Sequence, residues 1–393
     1  MEMKLTQRVL GMSQSLPRLI FDMAKSIGGD VIDLTLGDPD VHPPENVRRA
    51  AAQAIMDSRS RYSQNAGIRE AREAIAAYQR RICGRDEVTA DDIIITVGAM
   101  GSIFQQLFSL VEEGDEVIIP APFWVNYQEV TKLCGARPVI VSSSEKNGFS
   151  VTAEEIAAAV TPRSKVLVVN SPGNPSGRVM KESVVRELAR LAIEKDLFVI
   201  SDECYRSLVY DGIQYRSIFD EPGMKGRCSV IDAMSKQFSL TGYRVGYTIG
   251  PRRLVETMTK LQENLNACAP TPLQHAAIEA YSERTDTSYL KSEYDRRRHV
   301  VLNGIQRIPK LTVGGVDAGF YAFVNISRTG MKSMDFAKGL LLQERIAVVP
   351  GIAYGDAYDD FIRIAFTVSE AKLEEAFKRI DRFIRGGCGA AKE

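Results

Sequence analysis

The sequence predicts an α/β fold: a seven-stranded, mostly parallel mixed sheet with helices on both faces, accompanied by a smaller α+β domain. Three observations predict it. Short apolar, β-branched runs alternate with helix-period segments through the middle of the chain, and that alternation builds parallel sheets. The last interval between two such runs, 233–244, is too short for a helical crossover of a dozen or more residues, so the final strand runs antiparallel to its predecessor. After Pro251 the pattern turns helical, with only a few short strands.

Taken in order, the strand candidates are 93–97, 116–119, 138–141, 165–170, 197–202, 229–233 and 244–249. Helix-period segments at 101–112, 123–134, 152–160 and 180–195 separate most of them. Beyond Pro251 a long charged helix covers 288–308, strands lie near 320–326 and 361–366, and helices lie near 334–344 and 370–385. A helix candidate at 18–27 is expected to pack on this later part. The expected division is a large domain of residues 44–283 and a small one made of 1–43 with 284–393.

Composition sets outer limits. The chain has 393 residues, 45% hydrophobic and 25% charged, enough apolar mass for a packed core and against disorder as the main state. Lysine plus arginine equals aspartate plus glutamate at 50 each, so no net field drives sequence-independent nucleic-acid binding. No apolar run approaches the roughly 18 residues of a membrane span. The opening MEMKLTQRVLGMSQ lacks the apolar core of a signal peptide. Six scattered cysteines without a CxxC pair, and three histidines (His42, His275, His299) without ligand spacing, predict neither a disulfide framework nor a metal site. Reduced thiols fit a cytoplasmic location.

Open α/β sheets bind ligands beyond the carboxyl ends of their strands, so the residues at those ends carry the functional argument. After 93–97 comes Gly98-Ala99-Met100-Gly101-Ser102, small residues that let backbone amides approach an anion at a helix start. After 116–119 comes Ala121-Pro122-Phe123-Trp124, with the chain's single tryptophan. After 165–170 comes the constrained loop NSPGNPSG, in which Asn174 can turn its amide into a cleft. The 197–202 strand ends in Asp202-Glu203, with Tyr205 close behind, and 229–233 leads to Ser235-Lys236 and then Arg244. Each has an ordinary structural explanation: a turn, a core tryptophan, a capping carboxylate, a solvated lysine.

Together they complement one ligand, a ring bearing a phosphate, a phenolic oxygen, an aldehyde and a basic nitrogen. Lys236 can form an imine with the aldehyde. Asp202 can hold the ring nitrogen protonated. Asn174 and Tyr205 can donate to the phenolic oxygen. Arg244, Ser235 and the 98–102 turn can bind the phosphate, and Trp124 can stack on the ring.

On these residues the chain resembles fold-type I pyridoxal-phosphate aminotransferases of class I/II, the group of bacterial-type aspartate and aromatic aminotransferases. The resemblance runs from LTLGDPD to RIAFTVS and includes Tyr62 with AGIREAREAI, NSPGNPSG, SDECY, SKQFSLTGYRVG and VVPGIAYG. It implies pyridoxal 5'-phosphate as cofactor, with Lys236 as the covalent anchor and Asp202 and Tyr205 beside it as catalytic groups. Ala99, Met100, Gly101, Trp124, Asn174, Ser235 and Arg244 would complete the cofactor site. Tyr62 would reach the phosphate of a neighbouring subunit, which implies a homodimer with shared sites. Gly37, Trp124, Asn174 and Arg363 would meet the substrate, Arg363 through the bidentate carboxylate geometry that lysine lacks.

The implied reaction is ping-pong transfer of an amino group from an L-amino acid to a 2-oxo acid, 2-oxoglutarate by family habit. Many relatives have Gly-Gly-Lys where this chain has Ala99-Met100, and that lysine is associated with the distal carboxylate of dicarboxylic substrates. Met100 cannot replace it, which favours neutral or aromatic donors over aspartate. Ala318-Gly319-Phe320-Tyr321 also permutes the usual Gly-Ala-Phe-Tyr order. The cofactor-binding residues do not distinguish transamination from C–S lyase chemistry on the same fold. A non-catalytic sensor is the more distant alternative, since no separate DNA-binding unit fits before the sheet.

Overall fold

The computed structural model describes residues 3, 5–12 and 15–386. Its centre is the expected seven-stranded sheet. The strands are β1 (Ile93–Val97), β2 (Glu116–Ala121), β3 (Arg137–Ser142), β4 (Ser164–Asn170), β5 (Phe198–Asp202), β6 (Cys228–Ala233) and β7 (Val245–Ile249). Their order across the sheet is β1-β7-β6-β5-β4-β2-β3. The pairs β2–β3, β2–β4, β4–β5 and β5–β6 are parallel, whereas β7 runs antiparallel to both β6 and β1. Pro138 lies in β3, where the sheet ends, the position at which a missing N–H breaks no central ladder.

Helix bounds shift from the sequence expectation by one to three residues at most ends, and two shifts bear on the site. The segment expected at 101–112 is a helix over Gly98–Leu110, so Gly98–Gly101 forms its first turn and not a loop before it. Gly98 has φ +67°, which glycine adopts without the steric penalty of a side chain. The segment expected at 123–134 is helical only over Asn126–Leu133, because Ala121-Pro122-Phe123-Trp124 crosses the strand end in non-helical form. Helices at Glu45–Met56 and Arg69–Cys83 have no counterpart in the sequence reading; both pack on helix Thr271–Ala280.

Past β7 the chain forms a second, four-stranded antiparallel sheet: β8 (Thr312–Val313), β9 (Tyr321–Asn325), β10 (Val349–Pro350) and β11 (Phe361–Ala365), in the order β10-β11-β9-β8. Helices Ser288–Gln306, Ser333–Glu344 and Glu370–Arg385 accompany it. The N-terminal helix Leu16–Ile27 packs on Ser333–Glu344 and the short strands near 346–350, as expected, and buries Ile20 and Ala24 in the same core as Phe336 and Leu340. Ile32–Asp33 adds a parallel pair with Ile346–Ala347. No helix among the described residues is long and apolar enough to cross a membrane. Cys83, Cys134, Cys204, Cys228 and Cys268 form no disulfide among the described residues; Cys388 lies outside them.

A close backbone approach in the sheet sets the position of the Gly98 turn. A Cβ on Gly246 of β7 would fall 2.5 Å from the Gly98 carbonyl carbon and 2.7 Å from the Ala99 nitrogen, so the turn rests on a bare stretch of β7. Gly246→Ala is expected to destabilise the protein by about 1–3 kcal/mol through overpacking against backbone that cannot yield. Denaturant unfolding checks this, and an unchanged midpoint would contradict the close approach.

Candidate active site

The cleft lies at the carboxyl ends of the central parallel strands. Its volume is about 180 Å³ and its lining includes Ala99, Met100, Trp124, Asn174, Asp202, Tyr205, Ser235, Lys236 and Arg244. These nine come from five separate stretches of chain, and all were expected from the sequence. They meet because β4, β5 and β6 are adjacent and in register, with Asn170 beside Asp202 and Asp202 beside Ile231.

Asp202 ends β5 and is 4% exposed. It accepts hydrogen bonds from the Tyr127 hydroxyl at 2.6 Å and the Cys204 amide at 3.1 Å. Among the described residues no cation pairs with it. Burial pushes its carboxyl above the ordinary value, against the pull of those donors. Tyr127 is fully buried; burial and the facing Asp202 carboxylate push its phenol far up, so it stays a donor. Trp124 meets the Tyr127 ring edge-on, with centroids 5.5 Å apart.

Lys236 is half-buried in the short helix Met234–Gln237. Its Nζ donates to the Gly37 carbonyl at 2.6 Å and sits 5.6 Å from the Phe320 ring centre. Gly37 is thereby placed against the cleft by its backbone; a Cβ there would overlap the Tyr321 hydroxyl at 1.6 Å. Arg244 has φ +53° and donates from Nη1 to the Thr241 carbonyl at 2.9 Å. Its other nitrogen, Nη2, lies where a Cβ on Gly98 would be, 2.4 Å away. No carboxylate among the described residues pairs with it, so a guanidinium faces the first turn of helix Gly98–Leu110.

The loop after β4 is held by Asn170, whose Nδ2 donates to the Pro172 and Asp202 carbonyls and whose Oδ1 accepts from the Asn174 amide at 2.9 Å. The Asn174 Oδ1 accepts from Arg363 Nη1 at 3.1 Å. Arg363, in β11, is 5% exposed and also donates to the Thr35 carbonyl. Its guanidinium stands 4.4 Å from the Tyr321 ring centre. Arg363 Nε is buried without a hydrogen-bond partner. The Tyr205 hydroxyl donates to Tyr321 at 3.2 Å, and burial together with that second phenol raises its pKa well above the usual tyrosine value.

Not every expected residue lines the cleft. Gly101 stands behind Ala99 and Met100, where a Cβ would make only ordinary contact with Thr96. Tyr62 is 87% exposed and lies outside the lining. The sequence reading missed Tyr127, Asn170, Thr241, Cys204 and Tyr321 as cleft residues. Tyr127 carries no signal in the sequence, since it reaches Asp202 across 75 positions. Tyr321 closes the permuted Ala318-Gly319-Phe320-Tyr321 stretch, which did mark the place. No group of three or more histidine, cysteine, aspartate or glutamate side chains that could hold a metal occurs among the described residues.

Among the described residues the cleft fits a phosphate-bearing, cationic-nitrogen ring aldehyde on three counts: a guanidinium without a carboxylate at a helix start, a buried carboxylate without a cation, and a lysine amine on the same lining with no carboxylate paired to it.

Comparison with known proteins bears on this geometry. Residues 29–380 match the family model "Aminotransferase class I and II". The aromatic-amino-acid aminotransferase 2 of Thermococcus litoralis is 34% identical over 386 residues, covering 98% of this chain and 99% of that relative. The aspartate aminotransferase of Pyrococcus abyssi is 35% identical over 374 residues, covering 94% and 95%. Among solved structures, Thermus thermophilus aspartate aminotransferase with maleate superposes with a TM-score of 0.92 at 33% identity, over 97% of this chain and 100% of that one.

The raised Asp202 pKa has a stability consequence of fixed sign. In the cofactor-free protein its contribution is fully present below the ordinary aspartate range and is lost as pH rises through the higher folded value. Asp202→Asn, which cannot ionise, is therefore expected to raise the unfolding midpoint of the cofactor-free protein at pH 8 and to leave it nearly unchanged at pH 3. Thermal unfolding at both values checks this; a midpoint lowered at pH 8 would contradict it.

Proposed function

The chain belongs to the class I and II aminotransferases, and from that premise we propose that it is a pyridoxal-phosphate enzyme moving an amino group from a neutral or aromatic L-amino acid to a 2-oxo acid, 2-oxoglutarate by preference. One observation carries the reading: Asp202, Arg244 and Lys236 line a single cleft, and among the described residues Asp202 has no cation and Arg244 no carboxylate. Unpaired charges facing one cavity are unfavourable unless a ligand completes them.

In this reading Arg244, Ser235 and the Ala99–Gly101 turn would hold the phosphate, Asp202 the ring nitrogen, Asn174 and Tyr205 the phenolic oxygen, and Trp124 the ring itself. When bound, pyridoxal phosphate supplies an aldehyde that exchanges amino groups and a ring that takes up charge from the carbon losing its proton. Arg363 pairs with the substrate α-carboxylate, and its buried Nε without a partner supports that assignment. The Gly37 backbone borders the same pocket. Lys236 Nζ would take the Cα proton of the donor and, in the second half of the reaction, deliver a proton to the Cα formed from the acceptor, one base serving both halves. Tyr127 keeps Asp202 oriented. The donor's 2-oxo product leaves before the acceptor enters, the order that defines a ping-pong reaction.

Met100 lines the cleft and accepts a hydrogen bond at its sulfur from Asn126 Nδ2 at 3.3 Å. A thioether there offers no charge to a distal carboxylate, which supports neutral or aromatic donors. The reading extends to a cytoplasmic homodimer in which the exposed Tyr62 reaches the phosphate held by a second copy. It also divides the chain into a large domain of residues 44–283 and a small domain of 1–43 with 284–393, the latter supplying Gly37 and Arg363.

Lys236→Ala is expected to abolish turnover and the visible absorbance of the protein loaded with pyridoxal phosphate; wild-type activity in that variant would refute the assignment. A panel of tyrosine, alanine, methionine and aspartate, followed by loss of that absorbance, tests the donor class. Tyrosine, alanine or methionine is expected to act ahead of aspartate in the wild type. In Arg363→Ala the KM for every donor is expected to rise roughly 10- to 100-fold, the loss of a charge-assisted pair, with cofactor affinity little changed. Equal losses of substrate and cofactor binding would count against that role.

A further inference from the structure

The sheet has a second face behind the cleft, and a buried polar chain runs across it. Side chains alternate along a strand, so Ala233 and Asp202 line the cleft while their neighbours Asp232 and Glu203 face the other way. Asp232 is 7% exposed. Its Oδ1 accepts from the Ala233 amide at 2.7 Å and its Oδ2 from the Tyr247 hydroxyl at 3.1 Å. Tyr247 in turn accepts from Gln79 Nε2 at 2.8 Å. The Gln79 Oε1 accepts from Arg85 Nη1 at 2.9 Å, and Arg85 pairs with Glu203 at 3.2 Å and Asp220 at 2.7 Å. Tyr247, Gln79, Arg85 and Glu203 are each no more than 1% exposed.

The chain therefore begins one residue before Ala233, where the turn to Ser235 and Lys236 starts, and ends one residue after Asp202. A second contact holds the same turn: Gln237 Nε2 donates to the Tyr78 hydroxyl at 2.6 Å, and Tyr78 packs edge-on against Tyr281. We propose that Asp232 is a positioning residue, its carboxylate fixing the turn that presents Lys236, and that the relay Tyr247–Gln79–Arg85–Glu203 fixes that turn relative to the strand end bearing Asp202. The proposal rests on the function proposed above and adds groups that touch neither substrate nor cofactor.

The titratable and charged groups facing Asp232 are Tyr247 of β7, Tyr78 of helix Arg69–Cys83, Tyr281, Glu203 and Cys204 beyond β5, and Arg206. Burial pushes the Asp232 carboxyl up to about 7, opposed by the Ala233 amide and the Tyr247 hydroxyl. A raised folded pKa means that its stability contribution is lost as pH rises from the ordinary aspartate range through about 7. Asp232→Asn keeps the acceptor for Ala233 and cannot ionise.

The test uses the full chain loaded with pyridoxal phosphate. Asp232→Ala is expected to lower kcat about tenfold, the loss of a buried charge-assisted hydrogen bond, with KM within about twofold, and to shift the pH midpoint of the visible absorbance. Asp232→Asn should recover part of the kcat. Its unfolding midpoint should gain on the wild type between pH 5 and pH 8. Met224→Leu is the packing control, since Met224 is fully buried in the same core as Tyr247 and takes no part in the polar chain; it should match the wild type in kcat and spectrum. Wild-type kcat and spectral midpoint in folded Asp232→Ala, or equal changes in Met224→Leu, would overturn the proposal. If Asp232→Ala does not fold, Tyr247→Phe decides: a smaller change of the same sign supports the relay, and wild-type behaviour overturns it. If the wild type takes up no pyridoxal phosphate, the functional reading fails separately. Amide hydrogen exchange at residues 233–237 then judges the tether, faster in Tyr247→Phe if it holds the turn and equal to wild type if it does not.

Discussion

Asp202 occupies a position that water would normally make cheap and the fold makes expensive. A carboxylate at the end of a central strand, under a cover of Trp124, Tyr127 and Tyr205, loses its hydration. Two donors, the Tyr127 hydroxyl and the Cys204 amide, restore part of it. The remainder is left for whatever enters the cleft. Lys236 and Arg244 stand on the same lining, and among the described residues neither forms an ion pair with Asp202. The site is preorganised in this sense: its charges are held apart by strand spacing and backbone, so a ligand of matching pattern gains their interaction without first breaking ion pairs.

That separation depends on the second face of the sheet. Adjacent residues on one strand point to opposite sides, so an acid that serves the cleft has a neighbour that must be accommodated behind it. Glu203 meets that need by pairing with Arg85 and accepting from Ser201 and Ser217; burial alone would raise its pKa, and Arg85 with Arg206 outweighs it. Asp232 has no such direct cation and stays close to titration. The two carboxylates share one polar chain but differ in how completely they are neutralised, and the less neutralised one lies beside the lysine turn.

The parallel sheet was legible because its strands are short, apolar and spaced by helical segments, and the antiparallel β7 because eleven residues or fewer cannot hold a crossover. The helices at Glu45–Met56 and Arg69–Cys83 were not. Their apolar faces are built largely from alanine, in Ala51, Ala54, Ala71 and Ala76, which gives a weak periodic signal. Within the site, Asp202 ends a strand and Lys236, Asn174, Tyr205, Trp124 and Arg244 come after strand ends, so strand position marked them and their combination gave them meaning. Tyr127 and Thr241 sit among ordinary helix and loop residues. Their part in the cleft arises from packing between segments distant in sequence.

The order of residue types along the chain determined the sheet and the set of strand-end groups, because hydrophobic period and turn chemistry act locally and are written residue by residue. Only the tertiary structure decided which charges remain unpaired, how Arg363 of β11 reaches Asn174 across 189 positions, and that Asp232 and Glu203 share a hidden face. Those outcomes depend on distances and dielectric between segments that the chain brings together, and no local pattern of residues encodes a distance across a fold.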